Sequence, residues 1–133
     1  MDEHANRQWS NRVVITALIL ITISSAHLIE DYLYGVHTTL GLNNVGGQVA
    51  AAVWYLLLAW LLVLAARGAR RGYAGFAALG IFLTVADIVY HADELLFDWP
   101  YRAGVLSKLL SLGVIASAVA LTLISYRAWR ATE

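Results

Sequence analysis

Two short segments of the chain place histidine and carboxylate side chains at helical spacing. The first contains His27 and Glu30. The second contains Asp87, His91 and Glu94. Residues three or four positions apart lie on the same face of an α-helix, so each segment would present its ionisable groups together. Imidazole nitrogens combined with carboxylate oxygens suit iron, zinc, manganese or copper. The pattern therefore predicts a transition-metal site.

The predicted site has ligands from two helices and further polar side chains around them. The expected ligands, sufficient for one or two ions, are His27, Glu30, Asp87, His91 and Glu94. Asp31 and Tyr34 follow Glu30 along the first predicted helix, and Lys108 lies near the start of the fourth. We expect these three residues as charge or hydrogen-bond partners of the ligands. The ligand chemistry resembles that of di-metal carboxylate bundles, although the order here is His-x-x-Glu and only two helices supply ligands.

The elements that position these residues are predicted to be membrane-spanning helices. Hydrophobic residues make up 60% of the 133 residues and charged residues 14%, well below the quarter or so that is usual in soluble proteins. Long uncharged runs separate the ionisable clusters. We predict an all-α, four-transmembrane-helix bundle in a single membrane domain over 1–133, with helices at about 12–34, 48–67, 73–97 and 104–127.

The distribution of basic residues predicts the orientation of the bundle. Arginines precede the first helix, join the second to the third and follow the fourth, and such positively charged segments tend to remain cytoplasmic. Both termini are therefore expected in the cytoplasm. Counting about 1.5 Å per residue from the inner ends puts His27 and His91 in the outer half of a core about 30 Å thick. We expect an integral protein of a prokaryotic plasma membrane with its site toward the outer side.

The two clusters also suggest an internal repeat. The pattern His-x-x-Glu occurs at His27 to Glu30 and again at His91 to Glu94, at equivalent ends of helices 1 and 3, as duplication of a two-helix unit would produce.

The expected partners are the lipid bilayer and either further copies of the chain or a larger membrane complex. The net charge is zero, so nothing suggests nucleic acid.

Several functions remain open from the sequence. A metal site could serve redox or hydrolytic chemistry on a lipophilic substrate. A purely structural polar network would fix helix register in a non-catalytic accessory subunit of a larger complex. A proton or cation transporter would use the same residues as relays. Haem b, with His27 and His91 as axial ligands, is disfavoured because Glu30 and Glu94 flank them.

Overall fold

The computed structural model describes residues 3–92 and 104–132, and these fold into helices without any β-strand. The helices are α1 (Glu3–Leu33), α2 (Val36–Thr39), α3 (Asn44–Ala66), α4 (Arg70–Tyr90) and α5 (Val105–Ala131). Among the described residues, all except the short α2 are long and apolar enough to cross a membrane. This confirms the predicted helical structure for the described residues, with four helices, here called the spanning helices, that are long and apolar enough to cross a membrane.

The helix bounds differ from the predicted ranges mainly at the polar ends. α1 begins at Glu3 and α5 continues to Ala131, because a helix already formed extends easily into polar flanks that hydropathy does not mark. α4 ends at Tyr90 with His91 as its C-cap, whereas the predicted range of 73–97 reaches further. The part of that range after residue 92 lies outside the described residues. The segment 35–47, which separates the first two predicted helices, contains α2.

The spanning helices form an antiparallel bundle in which α1 and α4 are diagonal neighbours. α5 packs along both α4 and α1, and α3 packs along the same two helices on the other side. The start of α1 meets the end of α3, where the Ser10 hydroxyl donates to the Ala65 carbonyl over 2.7 Å. The Tyr73 hydroxyl near the start of α4 donates to Asn6 Oδ1 near the start of α1. α1 and α4 therefore run in the same direction, and a contact between them crosses the bundle interior.

The bundle buries a narrow apolar core and exposes apolar side chains outward. Large hydrophobic side chains such as Leu33, Leu56, Val89 and Val105 are among the most exposed. A helix that is apolar on its outward face is expected where lipid replaces water as the solvent. The spanning helices thus have the surface of an integral membrane protein. The core cluster comprises Val13, Ala17, Leu20, Leu58, Leu61, Ala65, Tyr73, Phe76, Leu79, Val114, Ala118, Leu121 and Ala128.

Arginines and tryptophans meet at the end of the bundle where α1 and α4 begin. The Arg12 guanidinium lies 5.2 Å from the centroid of the Trp9 ring. The Arg70 guanidinium lies 4.8 Å from the Trp129 ring and joins α4 to α5. Aromatic rings with cationic partners are typical of a membrane interface. The histidine clusters lie at the opposite end. The cytoplasmic orientation of the termini and the two-helix repeat remain predictions.

The start of α3 offers a test of local helix stability. Asn43 precedes the helix with an extended backbone, and its Oδ1 accepts a hydrogen bond of 2.8 Å from the Gly46 N–H. Asn43→Ala removes this cap and should lower the free energy of unfolding by about 1 kcal/mol. Asn43→Asp retains an acceptor and should preserve stability. Unfolding in mixed micelles, followed by tryptophan fluorescence, would measure both; equal losses would contradict a capping role.

Candidate metal centre

The last turns of α1 and α4 bring two histidines together inside the bundle. His27 lies on α1, and His91 directly follows α4, where its backbone N–H donates to the Asp87 carbonyl over 2.9 Å. Both histidines are buried, and their ring centroids are 5.1 Å apart. Because α1 and α4 are diagonal neighbours, the two rings meet in the bundle interior.

The two imidazoles face each other through their Nε2 atoms. His27 Nε2 and His91 Nε2 are 3.2 Å apart. Asp87 Oδ1 lies 3.4 Å from His27 Nε2 and 3.8 Å from His91 Nε2. Asp31 Oδ2 lies 3.7 Å from His27 Nε2. The ligand atoms of His27, Asp31 and His91 are all within 4.8 Å of one another. This histidine–aspartate cluster is compact enough to hold a metal ion.

The spacing of these atoms can be compared with the edges of a coordination tetrahedron. Metal–ligand bonds of about 2.0–2.2 Å put the ligand atoms of a four-coordinate ion about 3.3–3.6 Å apart. The separation of 3.4 Å lies within that range, 3.2 Å lies just below it, and 3.7 and 3.8 Å lie just above it. The spacing of the two imidazole nitrogens and of the carboxylate oxygens nearest to them is therefore close to that of donor atoms around one ion.

Glu30 lies on the other side of the His27 ring. Its Oε2 is 3.5 Å from His27 Nδ1, the ring nitrogen that faces away from His91. Its Oε1 accepts a hydrogen bond from the Ser107 hydroxyl of α5. Glu30 therefore connects α5 to the Nδ1 side of the His27 ring, whereas Asp31 and Asp87 approach its Nε2 side.

The cluster is largely shielded from solvent. The exposed fractions of the side chains are 9% for His27, 4% for His91, 10% for Asp87, 11% for Glu30 and 20% for Asp31. Of the six buried side-chain polar atoms that lack a hydrogen-bond partner among the described residues, three belong to this cluster: His27 Nδ1, Glu30 Oε2 and Asp87 Oδ2. Buried polar atoms are normally hydrogen-bonded, so this concentration at one place is unusual.

Three further residues were expected around the site: Tyr34, Lys108 and Glu94. Tyr34 lies just beyond the end of α1 and is half exposed. Lys108 is half-buried on α5 and directly follows Ser107, at the level of the cluster. Glu94 lies outside the described residues. The structure thus brings together His27, Glu30, Asp87 and His91 of the expected ligands, and the assignment of ligand and partner roles stays a prediction.

Two features of the cluster go beyond what the sequence predicted. Asp31, expected as a charge or hydrogen-bond partner, faces the same ring nitrogen of His27 as Asp87 does. Its position four residues after His27 was a signal for this contact. Ser107 meets Glu30 from a helix that supplies no carboxylate, and spacing along a single helix cannot show such a contact.

Comparisons of the chain with protein-family models, with curated proteins and with solved structures found no match.

Proposed function

We propose that this protein binds one transition-metal ion inside the membrane between α1 and α4. His27 Nε2, His91 Nε2, Asp87 Oδ1 and Asp31 Oδ2 would be the ligands. The observation that carries the proposal is the approach of both Nε2 atoms to within 3.2 Å of each other, with two carboxylate oxygens beside them.

The charge balance of the cluster supports a cation. The carboxylates of Glu30, Asp31 and Asp87 all lie within 3.8 Å of an imidazole nitrogen. Several carboxylates around one pair of imidazoles repel one another in a medium of low polarity. A divalent ion bound between the imidazoles and the carboxylates would offset these charges.

The donor set narrows the choice of metal. Two imidazoles and two carboxylates without a thiolate suit zinc, iron, manganese or copper. Zinc has no geometric preference of its own and is commonly bound by four nitrogen and oxygen ligands of this kind. Haem b does not fit, because axial nitrogens at about 2.0 Å from an iron would stand about 4 Å apart on opposite faces of the macrocycle. The Nε2 atoms are closer than that.

The hydroxyl groups below the cluster favour a bound ion over an ion path. Thr16 donates to the Arg12 carbonyl, Thr22 to the Leu18 carbonyl and Thr84 to the Gly80 carbonyl, each within its own helix. Such backbone-bonded hydroxyls are typical of spanning helices and do not form a relay.

Elemental analysis of purified protein tests the proposal. Protein carrying an affinity tag without histidines is purified in detergent, incubated with zinc, iron, manganese or copper, and freed of unbound metal before mass spectrometry. We expect near-stoichiometric metal in the wild type and none in His27→Ala/His91→Ala, because the double variant loses both nitrogen ligands.

The matched control is His4→Ala/His37→Ala, which removes as many imidazoles from outside the cluster. His4 is exposed and contacts Gln8, and His37 contacts Asn44, so this variant should retain the metal. Equal loss in both double variants would indicate adventitious binding to histidine. Wild-type protein that stays metal-free with every ion would overturn the proposal and favour a structural polar network.

A further inference from the structure

We infer that Glu30 is a positioning residue for the metal site and that Ser107 acts through it. Glu30 would accept a hydrogen bond from His27 Nδ1–H, while the Ser107 hydroxyl of α5 holds the carboxylate in place. This inference rests on the proposed metal site, and it assigns Glu30 a role other than the ligand role expected from the sequence.

The geometry places Glu30 on the side of the ring away from the metal. An imidazole that binds metal through Nε2 carries its proton on Nδ1, and that proton is usually given to a carboxylate, a carbonyl or water. Glu30 Oε2 is 3.5 Å from His27 Nδ1, and neither atom has a hydrogen-bond partner among the described residues. Each atom is therefore available to the other. Site contacts that are long without a ligand commonly shorten once it is bound.

Ser107 fixes the other end of the carboxylate. Its hydroxyl is buried and donates to Glu30 Oε1, which leaves Oε2 directed at His27. A glutamate has three side-chain torsions, so a second contact reduces the conformational entropy that binding must overcome. The chain of contacts runs from α5 through Ser107 and Glu30 to His27. The fourth spanning helix would thus orient a ligand without contributing one.

Zinc affinity measured by competition with a chelator gives the first test. Glu30→Ala should weaken binding about 10- to 100-fold, as is typical when the partner of a metal-bound histidine is lost. Ser107→Ala should weaken it by roughly tenfold at most, since Glu30 remains. Ser117→Ala is the matched control, because Ser117 is also buried on α5 but donates to the Gly113 carbonyl of its own helix.

A double-mutant cycle separates this role from a general structural effect. If Ser107 acts through Glu30, adding Ser107→Ala to Glu30→Ala should cause no further loss of affinity. Additive losses would overturn the inference. The Nδ1–H proton resonance of His27 in the zinc-loaded protein, assigned by its absence in His27→Ala, provides a second readout. It should move upfield and exchange faster with solvent in Glu30→Ala, and an unchanged resonance would count against the contact.

These experiments also distinguish the inference from the metal proposal itself. Loss of zinc from Glu30→Ala as complete as that from His27→Ala/His91→Ala would make Glu30 a ligand and reject the positioning role, while the metal site stood. Glu30→Gln keeps a carbonyl oxygen that can accept from Nδ1–H, and it should recover part of the affinity lost in Glu30→Ala. A wild type that binds no metal would instead overturn the proposed function, on which this inference depends.

Discussion

Removing zinc with a chelator is expected to lower the free energy of unfolding of the bundle by about 4 kcal/mol. The reference is protein in free zinc at about a thousand times the dissociation constant. The metal would bind the folded bundle, in which His27 and His91 meet, and would bind the unfolded chain far less well. Bound metal therefore shifts the equilibrium toward the folded state. The measurement is unfolding by sodium dodecyl sulfate in mixed micelles, with tryptophan fluorescence as the signal.

The dependence on zinc concentration is the informative part of this experiment. Above the dissociation constant, each tenfold increase in free zinc should add about 1.4 kcal/mol to the free energy of unfolding. His27→Ala/His91→Ala should show no such dependence, whereas the control His4→Ala/His37→Ala should match the wild type. A wild type whose stability is independent of zinc would contradict a metal that cross-links α1 and α4.

Gly80→Ala is expected to destabilise the bundle by about 1–3 kcal/mol. Gly80 is buried where α4 crosses α5, and an added Cβ would lie 2.7 Å from the Ala118 carbonyl oxygen and too close to the Thr122 hydroxyl. The carbonyl belongs to the α5 backbone, so the two helices would have to separate. This cost exceeds the gain of about 0.5–1 kcal/mol that alanine normally brings to a helix interior. The same micelle-unfolding measurement reports the loss.

Gly75→Ala is the matched control on the same helix. The nearest atom to its added Cβ is Cδ2 of Leu61, the far end of a flexible side chain that can turn aside. Stability should change little or increase slightly, because the helix propensity of alanine remains as a gain. If both substitutions destabilised the bundle equally, the close approach of the α4 and α5 backbones would not be the cause.

The membrane character of the chain could be predicted because hydropathy is a local property. Runs such as 49–66 are apolar on every side, so no particular neighbour is needed to recognise a spanning helix. The helix ends were harder to predict. α1 continues back to Glu3 through polar residues, and backbone hydrogen bonds rather than hydropathy decide where such a helix begins.

The shared level of the two histidine clusters was also within reach of the sequence. Helical rise places His27 and His91 at similar heights on helices of the same direction, and helical spacing places Asp87 on the His91 face. These arguments need only the geometry of single helices. They show which residues lie close enough to interact, but they do not show which contacts form.

The sequence by itself determined four apolar spanning helices and two ionisable clusters at one end of them, because hydropathy and helical periodicity act along a single segment. Only the tertiary structure decided that α1 and α4 are diagonal, so that the two histidines meet in the interior. It also decided that Asp31 faces Nε2 of His27 while Glu30 faces Nδ1 and bonds to Ser107. These choices depend on helix rotation and side-chain torsions, which are fixed by packing against other helices and not by neighbours along the chain.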